Sequence, residues 1–284
     1  MPLWLVPAVA AATFVPLVAF ELLRPLRPEA EPKARRVVRN LVIAATAFGV
    51  IGLLQAPALR SLWALMEERR IGLLNLVEWP RAVEVAVAVV LLDYTLWHWH
   101  WLNHRVPALW RFHLVHHADR DLDASTALRF HFGEMALSVP WRALQVAAIG
   151  ADPWSLAVWQ ALLLPSILFH HSNVRLPVGL ERVLVRLVVT PRMHGIHHST
   201  YRNETDSNWS SLLSAWDYLH GTALLDVPQR DVEIGVPAYR RPEDLTLGRM
   251  LALPFRRRGD DWRGPEGERH ERPHAREGRT SLAA

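Results

Sequence analysis

Residues 98–117 read HWHWLNHRVPALWRFHLVHH, and a shorter histidine-rich stretch, MHGIHH, follows at 193–198. The chain has 15 histidines, and 12 of them lie between His98 and His198. A single histidine on an apolar helix is usually a hydrogen-bonded core residue. So dense a concentration in one part of the chain instead predicts a site built from imidazoles.

The spacing of these histidines suits a metal site if the segments are helical. One pair is separated by four residues, and two triplets repeat an i, i+3, i+4 pattern, so each set faces one side of its helix. Neutral imidazoles bind first-row transition metals, and eight exceed what one ion uses, which predicts two metals in one pocket. The chain has no cysteine that could compete as a ligand. The sets are His100, His104, His113, His116, His117, His194, His197 and His198.

The apolar residues, which make up half of this 284-residue chain, are concentrated in five runs. Those at 3–23, 41–59 and 82–99 approach the roughly 20 residues that a helix needs to cross hydrocarbon, whereas 135–149 and 154–169 suit a shallow hairpin. We therefore predict an all-α, polytopic membrane protein with three to four membrane helices plus a short hairpin. An unusually apolar soluble core is the alternative. The first run lacks a basic leader and a cleavage site, so we expect it to be retained.

The basic residues between the first two runs predict the orientation of the chain. Residues 24–39 contain six Lys and Arg residues, which by the positive-inside rule places this loop in the cytoplasm. Counting crossings from there brings residues 98–131, 170–171 and 194–198 to the same side. We therefore expect an integral membrane protein with its histidine-rich dimetal site on the cytoplasmic side.

Domain organisation follows from the change of composition near the C-terminus. Residues 1–254 are expected to form a single membrane-embedded domain, with its histidine-rich catalytic part at about 93–220. Residues 255–284 are charged and rich in Pro and Gly, which predicts a disordered tail. The tail contains HERPH at 270–274, similar to a zinc-protease motif, but Pro273 interrupts the helix that this motif needs.

The formal net charge of +4 and a pI near 10.1 come from basic residues that are dispersed along the chain. No aromatic-interleaved basic groove is evident in the sequence. We therefore expect attraction to anionic lipid headgroups and no nucleic-acid partner.

Carboxylates near the histidines are candidates for groups that support the ligands. Asp93 lies late in a membrane helix, two turns before His100, where a carboxylate is costly unless it is paired or functional; a simple contact between helices is the alternative. Asp206, Asn208 and Asp217 could hold an imidazole by its second nitrogen, with loop polarity or helix capping as the alternative. We predict Asp93 and Asp217 as the catalytic-site carboxylates.

Three further histidines cannot be assigned from spacing alone. His170 and His171 are adjacent, so on a helix they point about 100° apart and only one is expected to face the metals. His131 stands alone in its segment.

The order of the motifs is distinctive. In chain order they are D-x6-H-x3-H at 93–104, RVPALWRFHLVHH at 105–117, ALRFH at 127–131, HSNVRLP at 171–177, H-x2-HH at 194–198, NETDSNW at 203–209 and WDYLHGT at 216–222. This order, over roughly residues 85–225, resembles the fatty acid hydroxylase / sterol desaturase superfamily of membrane di-iron oxygenases. The resemblance implies an all-helical, mushroom-like fold whose cytoplasmic cap holds two iron ions, for which zinc can substitute in a purified protein.

The resemblance also extends the predicted ligand set. It implies that His131 and His171 are ligands and that His170 lies behind them. Trp101, where the family usually has Arg, and the additional His98 and His220 depart from the family's pattern, and their roles are left unassigned. The full predicted ligand set is His100, His104, His113, His116, His117, His131, His171, His194, His197 and His198.

The function implied by the resemblance is O2-dependent hydroxylation or desaturation of a C–H bond in a membrane lipid, such as a fatty acyl chain or a sterol. The sequence carries no cytochrome-like or flavin motif, so we expect a separate reductase or ferredoxin as electron donor, docking near Arg120 and Arg202. Two alternatives remain open at this point: a zinc-dependent lipid hydrolase and a non-enzymatic divalent-metal transporter.

Overall fold

The computed structural model describes residues 5–257, 259–264 and 267. These residues form helices and isolated β-bridges, and they contain no β-strand. The prediction of an all-α fold is confirmed. The helices are α1 Leu5–Leu23, α2 Lys33–Val50, α3 Ala56–Arg69, α4 Arg81–Arg105, α5 Pro107–His117, α6 Phe132–Ile149, α7 Pro153–His171, α8 Val178–Leu184, α9 Pro191–His197, α10 Arg202–Thr205, α11 Ala215–Leu219 and α12 Leu247–Ala252.

Two helical stretches, Lys33–Asn75 and Arg81–Arg105, are long and apolar enough to cross a membrane by length and composition, and Ala8–Leu23 is a shorter apolar helix. The first stretch joins α2 to α3 through a π-helical turn, Ile51–Gln55. The apolar run at 41–59 lies within this stretch, which stays helical to Arg69. The number of membrane crossings stays a prediction.

The helix continues beyond Leu59 because residues 59–66 keep an apolar face towards the core. Leu59 and Met66 are buried and Trp63 is partly buried in a cluster that includes Leu92 of α4 and Trp159 of α7. Side chains three or four positions apart share one face of a helix, so this spacing extends the helix.

The two apolar runs predicted to form a hairpin are the consecutive helices α6 and α7, separated by residues 150–152. Gly150 ends α6 with a φ of 82°, a left-handed conformation that glycine adopts without strain. Asp152 begins α7, where its carboxylate accepts a 2.7 Å hydrogen bond from the backbone N–H of Ser155. α7 packs against both α1 and α4, whereas α6 packs mainly against α2, so the two helices join the bundle through different neighbours.

A buried ion cluster connects the start of α2 to the segment that follows α5. Arg36 is 1% exposed, and its guanidinium lies 3.4 Å from Asp119, 3.5 Å from Asp121 and in direct contact with Asp123. Burial alone would raise the pKa of Asp119, but Arg36 and the neighbouring arginines hold it below its ordinary value. The carboxylate is therefore ionised and paired.

Part of the described chain beyond Pro254 packs on α5. Trp262 stacks on Trp110 of α5 with ring centroids 5.6 Å apart, and the buried Asp261 accepts a 3.0 Å hydrogen bond from the Trp110 indole. Residues 259–264 thus pack on α5. This contact depends on two particular side chains, so the overall composition of the segment does not reveal it. The HERPH motif and most of the predicted disordered tail lie outside the described residues.

Replacing Arg36 tests the buried ion cluster. The change Arg36→Met leaves three carboxylates facing one another without their shared cation, so we expect a loss of about 3–5 kcal/mol of stability. The measurement is thermal unfolding of the purified protein in detergent, where the apparent unfolding temperature should fall by on the order of 10 °C.

The matched control is Arg69→Met. Arg69 and its partner Glu68 are both about two-thirds exposed, and such surface pairs contribute little. The control should unfold within about 0.5 kcal/mol of the wild type. Equal effects of the two substitutions would contradict a structural role for the cluster.

Candidate metal centre

Four helices deliver histidines to one place because each of them ends there. α4 carries His100 and His104 in its last turns, α5 ends in a triplet at 113–117, α7 ends at His171, and α9 with the residue after it carries the triplet at 194–198. In α4 and α7 an apolar helix therefore changes to imidazoles over its last turn or two.

The imidazoles form two groups. Within each group, one nitrogen from every ring lies within 4.8 Å of those from all the others. Nine of the ten histidines predicted as ligands belong to them. Group one is His100, His104, His113, His117 and His197, and group two is His116, His171, His194 and His198.

In group two the Nε2 atoms face one another. Nε2 of His171 lies 3.1 Å from Nε2 of His116 and 3.0 Å from that of His194, which in turn lies 3.1 Å from Nε2 of His198. Nitrogen lone pairs at this distance repel unless a cation or shared protons lie between them. The arrangement fits a bound metal cation.

In group one the inward nitrogens are unpaired. Nε2 of His104, His113 and His197 is buried without a hydrogen-bond partner among the described residues, and so are both nitrogens of His117. Leaving buried polar atoms without partners costs free energy. Imidazole nitrogens suit iron and zinc, so both groups fit metal ions of this kind.

Backbone carbonyls orient several of the rings from behind. The Nδ1–H groups of His100 and His197 donate to the carbonyl oxygens of Trp209 and Ser207, each at 2.7 Å, and that of His171 donates to Ile167 at 2.8 Å. These bonds place the proton on Nδ1 and leave the Nε2 lone pair directed inward, as metal-binding histidines require.

A carboxylate that sequence reasoning missed supports a fourth ring. Oε1 of Glu134 accepts a 2.9 Å hydrogen bond from Nδ1 of His113, and both residues are 2% exposed. Glu134 stands in the first turn of α6, three residues after His131. Only its position next to the ALRFH motif could have drawn attention to it.

The electrostatic environment keeps His116, His117 and His198 neutral. Burial, reinforced by neighbouring imidazoles, lowers the pKa of His116, His117 and His198 well below the ordinary value. These residues are 0–2% exposed. Neutral imidazole is the form that coordinates metal, so no proton has to be displaced at neutral pH.

The structure does not bring His131 to either group. Its Nδ1 accepts a 2.9 Å hydrogen bond from the backbone N–H of Gly133 at the start of α6, and its Nε2 lies 3.1 Å from the carbonyl oxygen of Leu251. Both ring nitrogens thus have local partners. The prediction that His131 is a ligand gains no support from this placement.

The two predicted carboxylates hold backbone and indole groups rather than imidazoles. Asp93 accepts hydrogen bonds from the Trp216 indole at 2.6 Å and from the backbone of Leu213 at 3.1 Å. Asp93 shares a helix face with His100 but precedes it by about 10 Å along the axis of α4, so its carboxylate does not reach the imidazoles.

Asp217 acts at one remove from the site. It accepts 3.0 Å hydrogen bonds from the backbone N–H of Trp209 and from the Trp97 indole, and a 2.9 Å bond from the N–H of Ser210. The carbonyl of the same Trp209 accepts from His100. Asp217 therefore positions a peptide that orients a ring, although it touches no ring itself.

The other polar candidates lie farther from the rings. Asp206 pairs with Arg105 at 3.3 Å, and Asn208 bonds the backbone of Met193 and Leu224 at 2.9 and 2.8 Å. Neither hydrogen bonds to an imidazole. Their motif contributes instead through the carbonyls of residues 207 and 209.

Three histidines that the sequence left unassigned are also placed. His170 is buried against His194, with ring centroids 4.2 Å apart, but belongs to neither group. His220 stacks on Trp97 at 4.1 Å, with His98 edge-on to the same indole at 5.1 Å. His98 and His220 thus form an aromatic cluster beside the metal centre.

Comparison with known proteins bears on the same part of the chain. Residues 85–222 match the family model described as fatty acid hydroxylase. An ornithine lipid hydroxylase from Rhizobium tropici is 31% identical over 183 residues, which are 64% of this chain and 53% of that protein. No solved structure matches the chain.

Two further relatives are more distant. Cholesterol 25-hydroxylase from Mus musculus is 26% identical over 140 residues, 49% of this chain and 46% of that protein, and alkylglycerol monooxygenase from Homo sapiens is 28% identical over 131 residues, 46% of this chain and 28% of that protein. The chain thus spans about half the length, or less, of the curated relatives it matches. The matched segment includes both histidine groups, and by this match residues 85–222 of the chain belong to the fatty acid hydroxylase family.

Proposed function

We propose that the protein is a membrane-bound di-iron oxygenase that hydroxylates or desaturates a C–H bond of a lipid, with electrons from a separate donor. The observation that carries this proposal is the convergence of nine imidazoles into two adjacent groups. The three relatives are each named for adding oxygen to a lipid or an alkylglycerol. A lipid is therefore the substrate class that we assign to this chain.

Nine histidines would hold the metal ions, one ion for each group. Iron bound there supplies the activation of O2 that the cleavage of an unreactive C–H bond needs. Zinc would occupy the same nitrogen donors in a protein purified without iron. We assign iron because the proposed reaction is oxidative and zinc has no redox chemistry.

The chain's own residues keep the site dry and the rings fixed. Seven of the nine histidines are no more than 2% exposed, so bulk water is excluded from the centre. The carbonyls of Ser207 and Trp209 and the carboxylate of Glu134 prevent the rings from turning away. Pre-arranged donors require little reorganisation during the reaction.

The membrane orientation and the electron donor are part of the proposal. The basic loop at 24–39 lies at the metal end of the bundle, because Arg36 pairs with the segment after α5. The positive-inside rule then assigns the metal centre to the cytoplasmic side. A reductase or ferredoxin could approach there through Arg202, which is 63% exposed, and the partly buried Arg120.

Removal of one histidine from each group tests the dimetal site. In His104→Ala and in His198→Ala we expect the metal content to fall from about two ions per chain to about one, because each substitution removes a donor from one of the two groups. The measurement is elemental mass spectrometry on purified protein. His98→Ala is the matched control, since His98 lies on the same helix outside both groups. Full metal content in His104→Ala, or loss in the control, would contradict the assignment.

A second pair of variants decides the role of His131. His131→Asn should keep two metal ions because both of its ring nitrogens have backbone partners, whereas His171→Asn should lose about one ion. Both changes replace a ring with an amide of similar polarity. Metal loss from His131→Asn equal to that from His171→Asn would restore His131 to the ligand set.

The proposed reaction predicts O2-dependent products. Cells that express the protein under ¹⁸O₂ should contain lipids that have gained one labelled oxygen, or lost two hydrogens, compared with cells that express a His104→Ala/His198→Ala variant. Lipid mass spectrometry measures both outcomes. New lipid products that form equally under anaerobic conditions would select the hydrolase instead, and metal uptake without lipid products would select the transporter.

A further inference from the structure

Arg142 lies in the middle of the apolar hairpin helix α6 without an acidic partner among the described residues. Its Nη1 atom is buried and has no hydrogen-bond partner there. The guanidinium instead lies over the ring of Trp159 in α7, 4.4 Å from the ring centroid. An unpaired cation between apolar helices is unfavourable, and within a membrane it usually marks a binding site.

The other buried arginines show how the protein treats such charges. Arg36 contacts three aspartates, Arg39 pairs with Glu31 at 2.7 Å, and Arg192 pairs with Glu181. Arg27 and Arg129 have no ion pair in the part of the chain that the structure describes, but their guanidinium groups donate to backbone carbonyl and side-chain amide oxygens. The guanidinium of Arg142 differs, because it has no hydrogen-bond partner among the described residues. The difference indicates that its partner is not one of these side chains.

Two indole N–H groups close to Arg142 also lack partners. Nε1 of Trp159, a fully buried residue, and Nε1 of Trp141, the neighbour of Arg142 on α6, are buried without acceptors among the described residues. A guanidinium and two indoles are all donors, so they suit a ligand that only accepts, such as a carboxylate or a phosphate.

The position of these donors relates them to the metal centre. Arg142 follows Glu134 by two turns of α6, about 12 Å along the axis, and Glu134 holds His113 of group one. Trp141 stacks on Trp99, with ring centroids 5.6 Å apart, and Trp99 precedes His100 on α4. Contacts between side chains of α4 and α6 thus connect the position of Arg142 with that of the imidazoles.

We propose that Arg142, with the indole N–H groups of Trp141 and Trp159, binds the carboxylate or phosphate of an anionic lipid between α6 and α7. This proposal rests on the proposed function, because it makes the bound lipid the substrate of the oxygenase. An anionic group held at Arg142 would direct a carbon remote from that group, rather than one next to it, to the metal centre.

The test compares lipids that differ only in charge. Binding of palmitic acid, methyl palmitate, lysophosphatidic acid and inorganic phosphate is measured by equilibrium dialysis against the full chain in uncharged detergent at neutral pH. We expect the wild type to bind palmitic acid at least ten-fold more tightly than its ester. In Arg142→Met the acid should lose at least ten-fold in affinity while the ester is unchanged, and Arg142→Lys should be intermediate because lysine lacks the planar fork.

The controls distinguish a site from a structural contact. Arg69→Met removes an exposed arginine and should leave the preference for the acid intact. Trp141→Phe and Trp159→Phe keep an aromatic side chain but remove one indole N–H donor each. They should therefore weaken acid binding several-fold even if Arg142→Met fails to fold. Preferential binding of lysophosphatidic acid would identify a phosphate headgroup as the ligand, and binding of inorganic phosphate alone would identify a free anion.

The two proposals fail in different ways. A wild type that binds acid and ester equally, or an Arg142→Met variant that keeps the preference, would overturn the anionic site and leave Arg142 as a cation–π contact with Trp159. Metal content measured on the same samples is independent of this result. A protein that prefers the acid but holds no metal would retain the lipid site and refute the oxygenase.

Discussion

The close packing of nine imidazoles, seven of them almost fully buried, is the constraint on which the rest of the structure depends. Their inward nitrogens lie too close together to be stable as free lone pairs, with Nε2 atoms of group two only 3.0–3.1 Å apart. Metal ions would relieve this repulsion, so binding them would stabilise the fold as well as supply the chemistry. The surrounding helices have to hold the rings in place against their own repulsion.

That support comes mainly from the backbone and from carboxylates that do not touch the metals. Glu21, at the end of α1, accepts hydrogen bonds from the N–H groups of Ala124 and Asn173, and Asn173 lies two residues after His171. Asp217 fixes the peptide of Trp209 in the same manner. Carboxylates that accept hydrogen bonds from backbone N–H groups stabilise the loops between the histidine segments. They do so without placing negative charge next to the imidazoles.

The sequence indicated the members of the two histidine groups better than the residues that orient them, for a physical reason. The i, i+3 and i+4 spacing determines which rings share a helix face, so the triplets at 113–117 and 194–198 could be identified from local geometry. The carbonyls of Ser207 and Trp209 carry no such pattern, because any residue type has a carbonyl and only the tertiary fold selects one. Family resemblance pointed to His171, which the structure places in group two, and to His131, which it places elsewhere.

The fold shows the same division between local and tertiary information. Apolar runs predicted the helices, but α3 extends ten residues beyond the end of its apolar run at Leu59 because its later residues pack against α4 and α7. The basic loop at 24–39 served as a signal of orientation, yet Arg36 and Arg39 are buried in ion pairs in the folded protein. Both can hold, since the positive-inside rule acts while the helices insert and the ion pairs with Asp119 and its neighbours form only when the segment after α5 packs against α2. The same charges can therefore first select the side of the membrane and later connect α2 to the metal centre.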